Sequence, residues 1–325
     1  MTNSNQLRKY FLGFNIGGTK CSVVLGDENF TIYEKIEFPT HTERGYKKIL
    51  DEFKVHSYAL FEKYEKEKLQ KIGISCGGPL DSKKGIIFSP PNLPGWDAVP
   101  IVDIFKKEFE VPVEVQNDAN ASALAEWLMG AGSDTENMVF LTFGTGMGAG
   151  LILNGHLYTG ANDLGGEVGH IRLAEDGPVG FGKAGSFEGF CSGGGIAKLA
   201  KDVALNNLKN GKPVGFCSSM DEIESITAKS VFQAAHAGDE TAMGIVETTA
   251  SYLGKALAIL IDILNPEKIV IGSIYARNEE LFKPFVEKIL NQEAIPEAKQ
   301  VCKIVPALLG EKIGDYAALC VAMQS

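Results

Sequence analysis

The chain has 325 residues, enough for two domains with a core each, and its 45% hydrophobic and 22% charged residues are typical of a globular protein. The net charge of −10, without a dense basic cluster, argues against a nucleic-acid partner. No apolar run reaches membrane-spanning length, the N-terminus lacks a signal-peptide core, and the six cysteines form no C-x-x-C pair. We therefore expect a cytoplasmic protein with reduced thiols and no membrane partner.

The chain opens with a glycine turn between two predicted strands. Strand formers at 10–15 and 21–26 flank Gly17-Gly18-Thr19-Lys20. Alternating strands and helices follow, which indicates an α/β protein. Strands are predicted at 30–38, 71–76, 111–115, 268–271 and 301–305, and helices at 45–70, 99–109, 119–130, 193–208, 227–237, 239–264, 279–292 and 313–323.

The stretch at 138–150, MVFLTFGTGMGAG, resembles the first glycine turn. An apolar strand stops at alternating glycines, which let the phosphates of a ligand approach backbone N–H groups. A second apolar run then turns at Asn154-Gly155, a strong hairpin signal. Two glycine hairpins about 130 residues apart predict duplicated lobes that hold a phosphate chain.

Two other interpretations of the second glycine turn stay open. Gly144-x-Gly146-x-x-Ala149, with Asp163 beyond it, satisfies a loose dinucleotide fingerprint and indicates a nicotinamide-dependent enzyme. That fingerprint requires a helix after the glycines, whereas a strand is predicted here. The glycines can also form a purely structural turn, and the chain contains no Walker A pattern.

Polar residues at other predicted strand ends are candidate ligands, each with a structural alternative. Asp118 follows a strand and begins a helix, so it is either a helix cap or a functional carboxylate. The loop at 89–96, rich in Pro and Gly, either positions a ligand or forms a plain turn. His170 is either a structural histidine or a ligand.

Five motifs in register resemble those of the ROK family (repressor, open reading frame, kinase), which includes bacterial glucokinases and N-acetylmannosamine kinases. They span nearly the whole chain: Gly17-Gly18-Thr19-Lys20, Pro91-Asn92-Leu93-x-Gly-Trp96, Asn117-Asp118-Ala-Asn120, Gly144-Thr145-Gly146-x-Gly148 and Gly166-Glu167-x-Gly-His170. The resemblance implies an actin-like/hexokinase (duplicated ribonuclease-H-like) α/β fold of two lobes, with ATP and sugar in a central cleft. We expect a smaller lobe at 1–117 with a C-terminal helix at 306–325, and a larger lobe at 118–305. The resemblance also implies a homodimer or higher homo-oligomer, and the kinase branch, because no N-terminal helix-turn-helix precedes the motifs.

The resemblance also implies residue roles. Asp118 matches the catalytic base, which takes a proton from the sugar hydroxyl as that oxygen attacks the γ-phosphate of ATP. The implied substrate ligands are Gly78, Asn92, Asn117, Asp118, Glu167, His170 and Glu188. The implied ATP-binding residues are Asn15, Gly17, Gly18, Thr19, Lys20, Gly144, Thr145, Gly146, Gly194 and Gly272.

Three departures from the family pattern concern its cofactors. Asn15 replaces an aspartate that helps to hold Mg²⁺, and Gly272-Ser273 replaces a glycine pair. The three thiolates of the family zinc site are replaced by Val179, Phe181 and Ser186, so we expect Mg²⁺ but no zinc.

The leading hypothesis is therefore an ATP- and Mg²⁺-dependent hexose kinase, with glucose as the first candidate substrate. Fructose, allose, N-acetylglucosamine and N-acetylmannosamine stay open, because the same ligands serve several of these sugars. The alternative is a degenerate relative that binds sugar and nucleotide as a sensor, with little or no kinase activity.

Overall fold

The computed structural model describes residues 9–324, which form two compact units. The first unit contains the described residues up to Ser133, with Leu157–Gly165 and the described residues from Glu311 onward. The second contains Asp134–His156 and Gly166–Gly310.

Both units contain strands and helices. The strands are β1 (Tyr10–Ile16), β2 (Lys20–Asp27), β3 (Ile32–Pro39), β4 (Leu69–Cys76), β5 (Leu80–Asp81), β6 (Ile86–Ile87), β7 (Val113–Asn117), β8 (Met138–Leu141), β9 (Ala149–Leu153), β10 (His156–Tyr158), β11 (Val179–Gly180), β12 (Lys183–Ala184), β13 (Lys268–Ile271) and β14 (Lys303–Pro306). The helices are α1 (Tyr46–Phe61), α2 (Ile101–Phe109), α3 (Asp118–Met129), α4 (Phe187–Phe190), α5 (Gly193–Lys209), α6 (Ala228–His236), α7 (Glu240–Leu264), α8 (Ser273–Arg277), α9 (Glu279–Glu293), α10 (Pro296–Val301) and α11 (Ile313–Met323).

The two five-stranded sheets have the same strand order, β3-β2-β1-β4-β7 and β10-β9-β8-β13-β14. The first two strands of each set along the chain pair antiparallel (β1 with β2, and β8 with β9). The last strands run parallel to the first, as β4 and β7 do in one sheet and β13 and β14 in the other. The internal repeat predicted from the glycine turns is therefore confirmed at the level of topology.

In the first unit, α11 lies directly on the sheet. A Cβ atom at Gly73 in β4 would lie 2.2 Å from the carbonyl oxygen of Ala318, so glycine permits this close approach. The other face of β1 buries Phe14 against Phe53 and Phe105, with ring centroids 4.9 Å apart in both pairs. Helix α3 packs against α11, and α11 also packs on β1 and β4.

These contacts bear on the expected division into lobes. The expected boundary falls after residue 117, whereas α3 belongs to the first unit through its packing on α11. The expected boundary near the C-terminus falls at 305/306, and the first unit resumes at Glu311.

Helix α7 is the central helix of the second unit. By length and composition it is apolar enough to cross a membrane, and 61% of its most apolar window is buried. The expectation that no apolar run reaches spanning length is therefore wrong by this criterion. The helix is apolar because it packs against α4, α5, α6 and α9.

The helix predicted at 45–70 is shorter than expected. It ends at Phe61, and β4 begins at Leu69, which is 5% exposed and pairs with Tyr10 of β1. The charged residues between them favour a helix by propensity, but pairing with the sheet determines where the strand begins.

Candidate functional site

Three parallel strands of the first unit end at the same level. Ile16 is the register partner of Cys76, and Cys76 is the register partner of Asn117. The residues that follow, Gly17, Gly77 and Asp118, therefore leave neighbouring strands along one edge of the sheet. In open α/β sheets, ligands bind outside the carboxyl ends of the strands, and this edge is the candidate site of the first unit.

Asn117, and not Asp118, caps the helix that follows the strand. Its side-chain oxygen accepts a hydrogen bond from the backbone N–H of Asn120 at 2.7 Å. Asp118 is the first residue of α3, and its carboxylate accepts from the N–H of Ala119 at 2.9 Å. The alternative in which Asp118 is the N-cap is thus wrong.

The electrostatic environment of Asp118 favours a proton acceptor. Its side chain is exposed to solvent, but many protein atoms surround it at the sheet edge. The resulting loss of hydration raises the pKa of the carboxyl group above its ordinary value, although the hydrogen bond from the N–H of Ala119 acts in the opposite direction.

The loop at 89–96 reaches the same edge. A Cβ atom at Gly18 would lie 2.8 Å from the Cβ of Asn92, and one at Gly77 would lie 3.2 Å from its side-chain oxygen. Leu93 and Trp96, both fully buried, anchor this loop in the core of the first unit. Among the described residues, the atom nearest to a Cβ built at Gly78 is the backbone nitrogen of Leu80 at 4.0 Å, so that position is uncrowded.

The first glycine turn is closed by backbone contacts. The N–H of Gly17 donates to the carbonyl of Lys20 at 3.1 Å, and the Thr40 hydroxyl donates to the carbonyl of Gly17 at 2.6 Å. The carbonyl of Thr19 accepts from the Thr40 N–H at 2.9 Å. The Lys20 ammonium is exposed and pairs with Glu37 at 3.0 Å, so its predicted contact with phosphate requires it to exchange that partner.

Asn15 lies two residues before the turn and is half-buried. Its side chain faces the first turn of α11, because a Cβ atom at Gly314 would lie 2.8 Å from the Asn15 amide nitrogen. It is therefore on the face of the sheet that α11 covers.

The second unit repeats this arrangement at its own sheet edge. Leu141 of β8 and Ile271 of β13 are register partners, and the N–H of Gly272 donates to the carbonyl of Leu141 at 2.9 Å. The N–H of Gly193, which begins α5, donates to the carbonyl of Gly144 at 2.8 Å. The second glycine turn, the start of α5 and the start of α8 therefore converge.

A cavity of about 660 Å³ opens where these segments meet. Three predicted ATP-binding residues line it (Gly144, Thr145 and Gly194), whereas Gly146 and Gly272 only adjoin lining residues in the chain. The other lining residues come mostly from α6, α8 and the segments before them, and apart from Ser273 no motif in the sequence indicated those of α6 and α8. They include Ile226, Phe232 and Ile274, which are apolar, and Thr227, Gln233, His236, Arg277 and Asn278, which are polar.

The other candidate ligands of the second unit lie beside its glycine turn. The Glu188 carboxylate accepts a hydrogen bond from the N–H of Met147 at 3.0 Å, and a Cβ atom at Gly146 would lie 2.8 Å from the same carboxylate oxygen. A short 3₁₀ turn, Val168–His170, follows Glu167 and packs against Met147 through Gly169. Glu167 and His170 are exposed at this turn.

The residues at the zinc positions of the family pattern lie on one hairpin and directly after it. Val179 is in β11, Phe181 is in the turn before β12, and Ser186 is the N-cap of α4. Within residues 9–324, no three His, Cys, Asp or Glu side chains are grouped so that they could hold a metal ion.

Two sheets of the same strand order, each with a glycine turn at the end of its first strand, define a duplicated α/β protein. The ROK family model matches residues 11–324, and the chain belongs to the ROK family. It has the actin-like/hexokinase fold of its sugar-kinase neighbours, and the fold predicted from the motifs is confirmed.

Several relatives that match nearly the whole chain are sugar kinases. A glucokinase of Halalkalibacterium halodurans is 33% identical over 94% of this chain and 92% of its own. The solved glucokinase of Streptomyces griseus, in complex with glucose and AMPPNP, is 28% identical with a TM-score of 0.76, covering 98% of this chain and 100% of that chain. A ROK transcriptional regulator, a homologue of the Escherichia coli MLC protein, is 25% identical with a TM-score of 0.82, covering 98% and 78%. These relatives support a sugar kinase, and the family also contains repressors.

Proposed function

We propose that this protein is an ATP- and Mg²⁺-dependent hexose kinase, with glucose as the leading substrate. The observation that carries the proposal is the position of Asp118. It is an exposed carboxylate with a raised pKa, level with Gly17 and Gly77 at the sheet edge, and Asn117 does the capping in its place. The full-length similarity to glucokinases supports the same reaction.

Asp118 acts as the general base. The hexose hydroxyl oxygen forms a bond to the γ-phosphorus, the bond from that phosphorus to the β-phosphate oxygen breaks, and ADP leaves. The hydroxyl proton passes to the Asp118 carboxylate. Its raised pKa makes the deprotonated carboxylate a better proton acceptor than an ordinary aspartate.

We assign the hexose to polar groups that suit a polyol. In the first unit these are Gly78, Asn92 and Asn117, and the cap leaves the amide NH₂ of Asn117 to donate. In the second unit they are Glu167, His170 and Glu188. Carboxylates accept from sugar hydroxyls, and amides and imidazoles also donate to them, so the set satisfies both kinds of hydroxyl contact.

We assign ATP to the glycine turns and to the cavity of the second unit. The apolar walls at Ile226, Phe232 and Ile274 suit a base, and the polar residues beside them suit the ribose. The phosphates are assigned to Gly17, Gly18, Thr19 and Lys20, and to Gly144, Thr145 and Gly146, with Gly194 and Gly272 near the nucleoside.

The residues at the sheet edge fit a magnesium ion that ATP itself largely holds. Asn15 offers a carboxamide oxygen, and Mg²⁺ usually keeps several waters and binds substrate phosphates with few protein ligands, which leaves the Asp118 carboxylate free to accept the hydroxyl proton. When bound, the ion neutralises phosphate charge during transfer.

An ADP-release assay with a panel of glucose, fructose, allose, N-acetylglucosamine and N-acetylmannosamine tests the proposal. We expect turnover with at least one hexose, strictly dependent on ATP and Mg²⁺, and highest kcat/KM with glucose. A better rate with another hexose would change the substrate but keep the activity. No turnover with any of these sugars would refute the proposed kinase activity.

The alternative is a sensor that binds sugar without turnover. Asn15 in place of a carboxylate and the TM-score of 0.82 to a ROK regulator favour it. Calorimetric binding of glucose by a protein inactive in the assay above would select the sensor. We also propose a homo-oligomer, which light scattering on the purified protein would measure.

A further inference from the structure

The segment that follows His170 is joined to the hairpin β11–β12 and to α4. The N–H of Phe187 donates to the carbonyl of Ile171 at 2.8 Å, and the N–H of Leu173 donates to the carbonyl of Gly185 at 2.8 Å. These bonds set the hairpin beside His170.

The side chains of this hairpin do not fit a zinc ion. Zinc in proteins takes about four ligands from thiolates, imidazoles and carboxylates, and Val179 and Phe181 offer none of these. The hydroxyl of Ser186 is fully buried and already accepts a hydrogen bond from the N–H of Gly189 at 3.1 Å. It also lies 3.4 Å from the carbonyl of Gly180, to which it donates.

Two side chains of the hairpin contact His170 instead. The rings of His170 and Phe181 meet edge to face, with centroids 5.6 Å apart and planes at 83°. The ammonium group of Lys183 donates to the carbonyl oxygen of His170 at 2.7 Å. One contact orients the imidazole ring, and the other holds the backbone that carries it.

The exposure and backbone conformation of Phe181 are unusual for phenylalanine and indicate that its aromatic ring has a role at this position. The residue is 75% exposed and has a φ of 42°, where side chains other than glycine are uncommon. Neither water nor the backbone favours phenylalanine at this position. The contact of its ring with the His170 imidazole gives a reason for phenylalanine at this position.

We propose that Phe181 and Lys183 are positioning residues that hold His170 for the hexose without a metal ion, while Ser186 holds the base of their hairpin. The inference rests on the proposed function, since it takes the hexose as the ligand of His170. Hexose binding therefore depends on the hairpin and is insensitive to a zinc chelator.

Calorimetry on four variants tests this inference, with glucose and ATP titrated separately. Phe181→Ala and Lys183→Ala are expected to weaken glucose binding about two- to tenfold, as befits one ring pair or one hydrogen bond, and to leave ATP binding unchanged. Val179→Ala, at an exposed position of the same hairpin, is the matched control that should bind glucose normally. Lys183→Arg should restore binding, because it retains a cationic donor.

Results of two kinds would overturn the inference. One is unchanged glucose affinity in both Phe181→Ala and Lys183→Ala. The other is about one zinc ion per chain in the purified wild type, or loss of glucose binding after treatment with a chelator and readdition of Mg²⁺, because either would mean that a metal supports the loop.

A spectroscopic measurement separates this inference from the proposed function. With ¹³C-labelled histidine, the imidazole resonance of His170 is identified by its loss in His170→Gln. Removal of the neighbouring ring in Phe181→Leu should shift that resonance. If the wild type binds no hexose, the proposed function fails, yet this measurement still decides the contact: a resonance that does not move would refute the positioning role.

Discussion

The side-chain oxygen of Asn117 accepts a hydrogen bond from the backbone N–H of Asn120 at 2.7 Å, and this bond caps α3. In the proposed mechanism, helix capping and proton transfer are thereby divided between adjacent residues. Asn117 stabilises the helix N-terminus, and Asp118 keeps its carboxylate at the sheet edge.

The first prediction separates these two roles. Asp118→Asn should lower kcat by about 10²–10⁴ and leave the thermal unfolding midpoint unchanged or higher. Asn117→Ala should instead lower the free energy of unfolding by about 1 kcal/mol, the usual cost of losing a cap. Steady-state kinetics and thermal melts measure both effects. Asp103→Asn, at an exposed position of α2, is the control, and a kcat for Asp118→Asn within about tenfold of wild type would contradict the role of base.

The raised pKa of Asp118 gives a prediction about pH. A general base must be deprotonated, so kcat/KM should fall as the pH drops through its pKa, with the acid limb above the ordinary aspartate range near 3.8. The same pKa shift has the opposite effect on folding stability, which should rise as the pH falls. A carboxyl group whose pKa is higher in the folded state disfavours folding where it is charged, and this cost disappears as the pH falls through that pKa. A pH–rate profile with no acid limb above that range would contradict the assignment.

The bond between Glu188 and the Met147 N–H leads to a prediction about specificity of binding. Glu167→Gln and Glu188→Gln should weaken hexose binding much more than ATP binding, because an amide both donates and accepts where a sugar hydroxyl requires an acceptor. Separate titrations of glucose and ATP measure this. Equal losses for both ligands would indicate a folding defect, and no loss would remove these residues from the sugar site.

A change in the cavity of the second unit should affect only the nucleotide. Ala197 lines the cavity, so Ala197→Trp should occupy part of its volume and raise the KM for ATP, with little effect on glucose affinity. Lys198→Ala, at the adjacent exposed position of α5, is the control. Unchanged ATP kinetics would mean that the nucleotide binds elsewhere.

Asn15→Asp tests the role of residue 15 in metal dependence. An added carboxylate should lower the Mg²⁺ concentration that gives half-maximal rate and leave the choice of sugar unchanged, since Mg²⁺ prefers anionic oxygen ligands. The measurement is a titration of rate against Mg²⁺ at fixed ATP. Coincident curves would exclude residue 15 from metal binding, whereas an inactive wild type with an active variant would favour the sensor.

The sequence by itself determined the repeated unit of this protein and the candidate residues in it. The strand formers that stop at Gly17 and Gly144 are local patterns. They can be recognised from the sequence because glycine permits the backbone conformations at which a strand ends and the chain turns. The bounds of β13 and α11 were predicted for the same reason, since apolar periodicity and helix propensity are properties of the segment itself.

Only the tertiary structure decided how those pieces are used. The exact direction of the backbone at the helix start makes Asn117 the cap. The pairing of Lys20 with Glu37 and the packing of α3 on α11 depend on partners that are distant in sequence. The cavity walls from α6 and α8 and the contact of Phe181 with His170 are likewise products of packing. Such contacts join segments whose own sequences are compatible with many neighbours, and the fold selects among them because the buried surfaces must fit together.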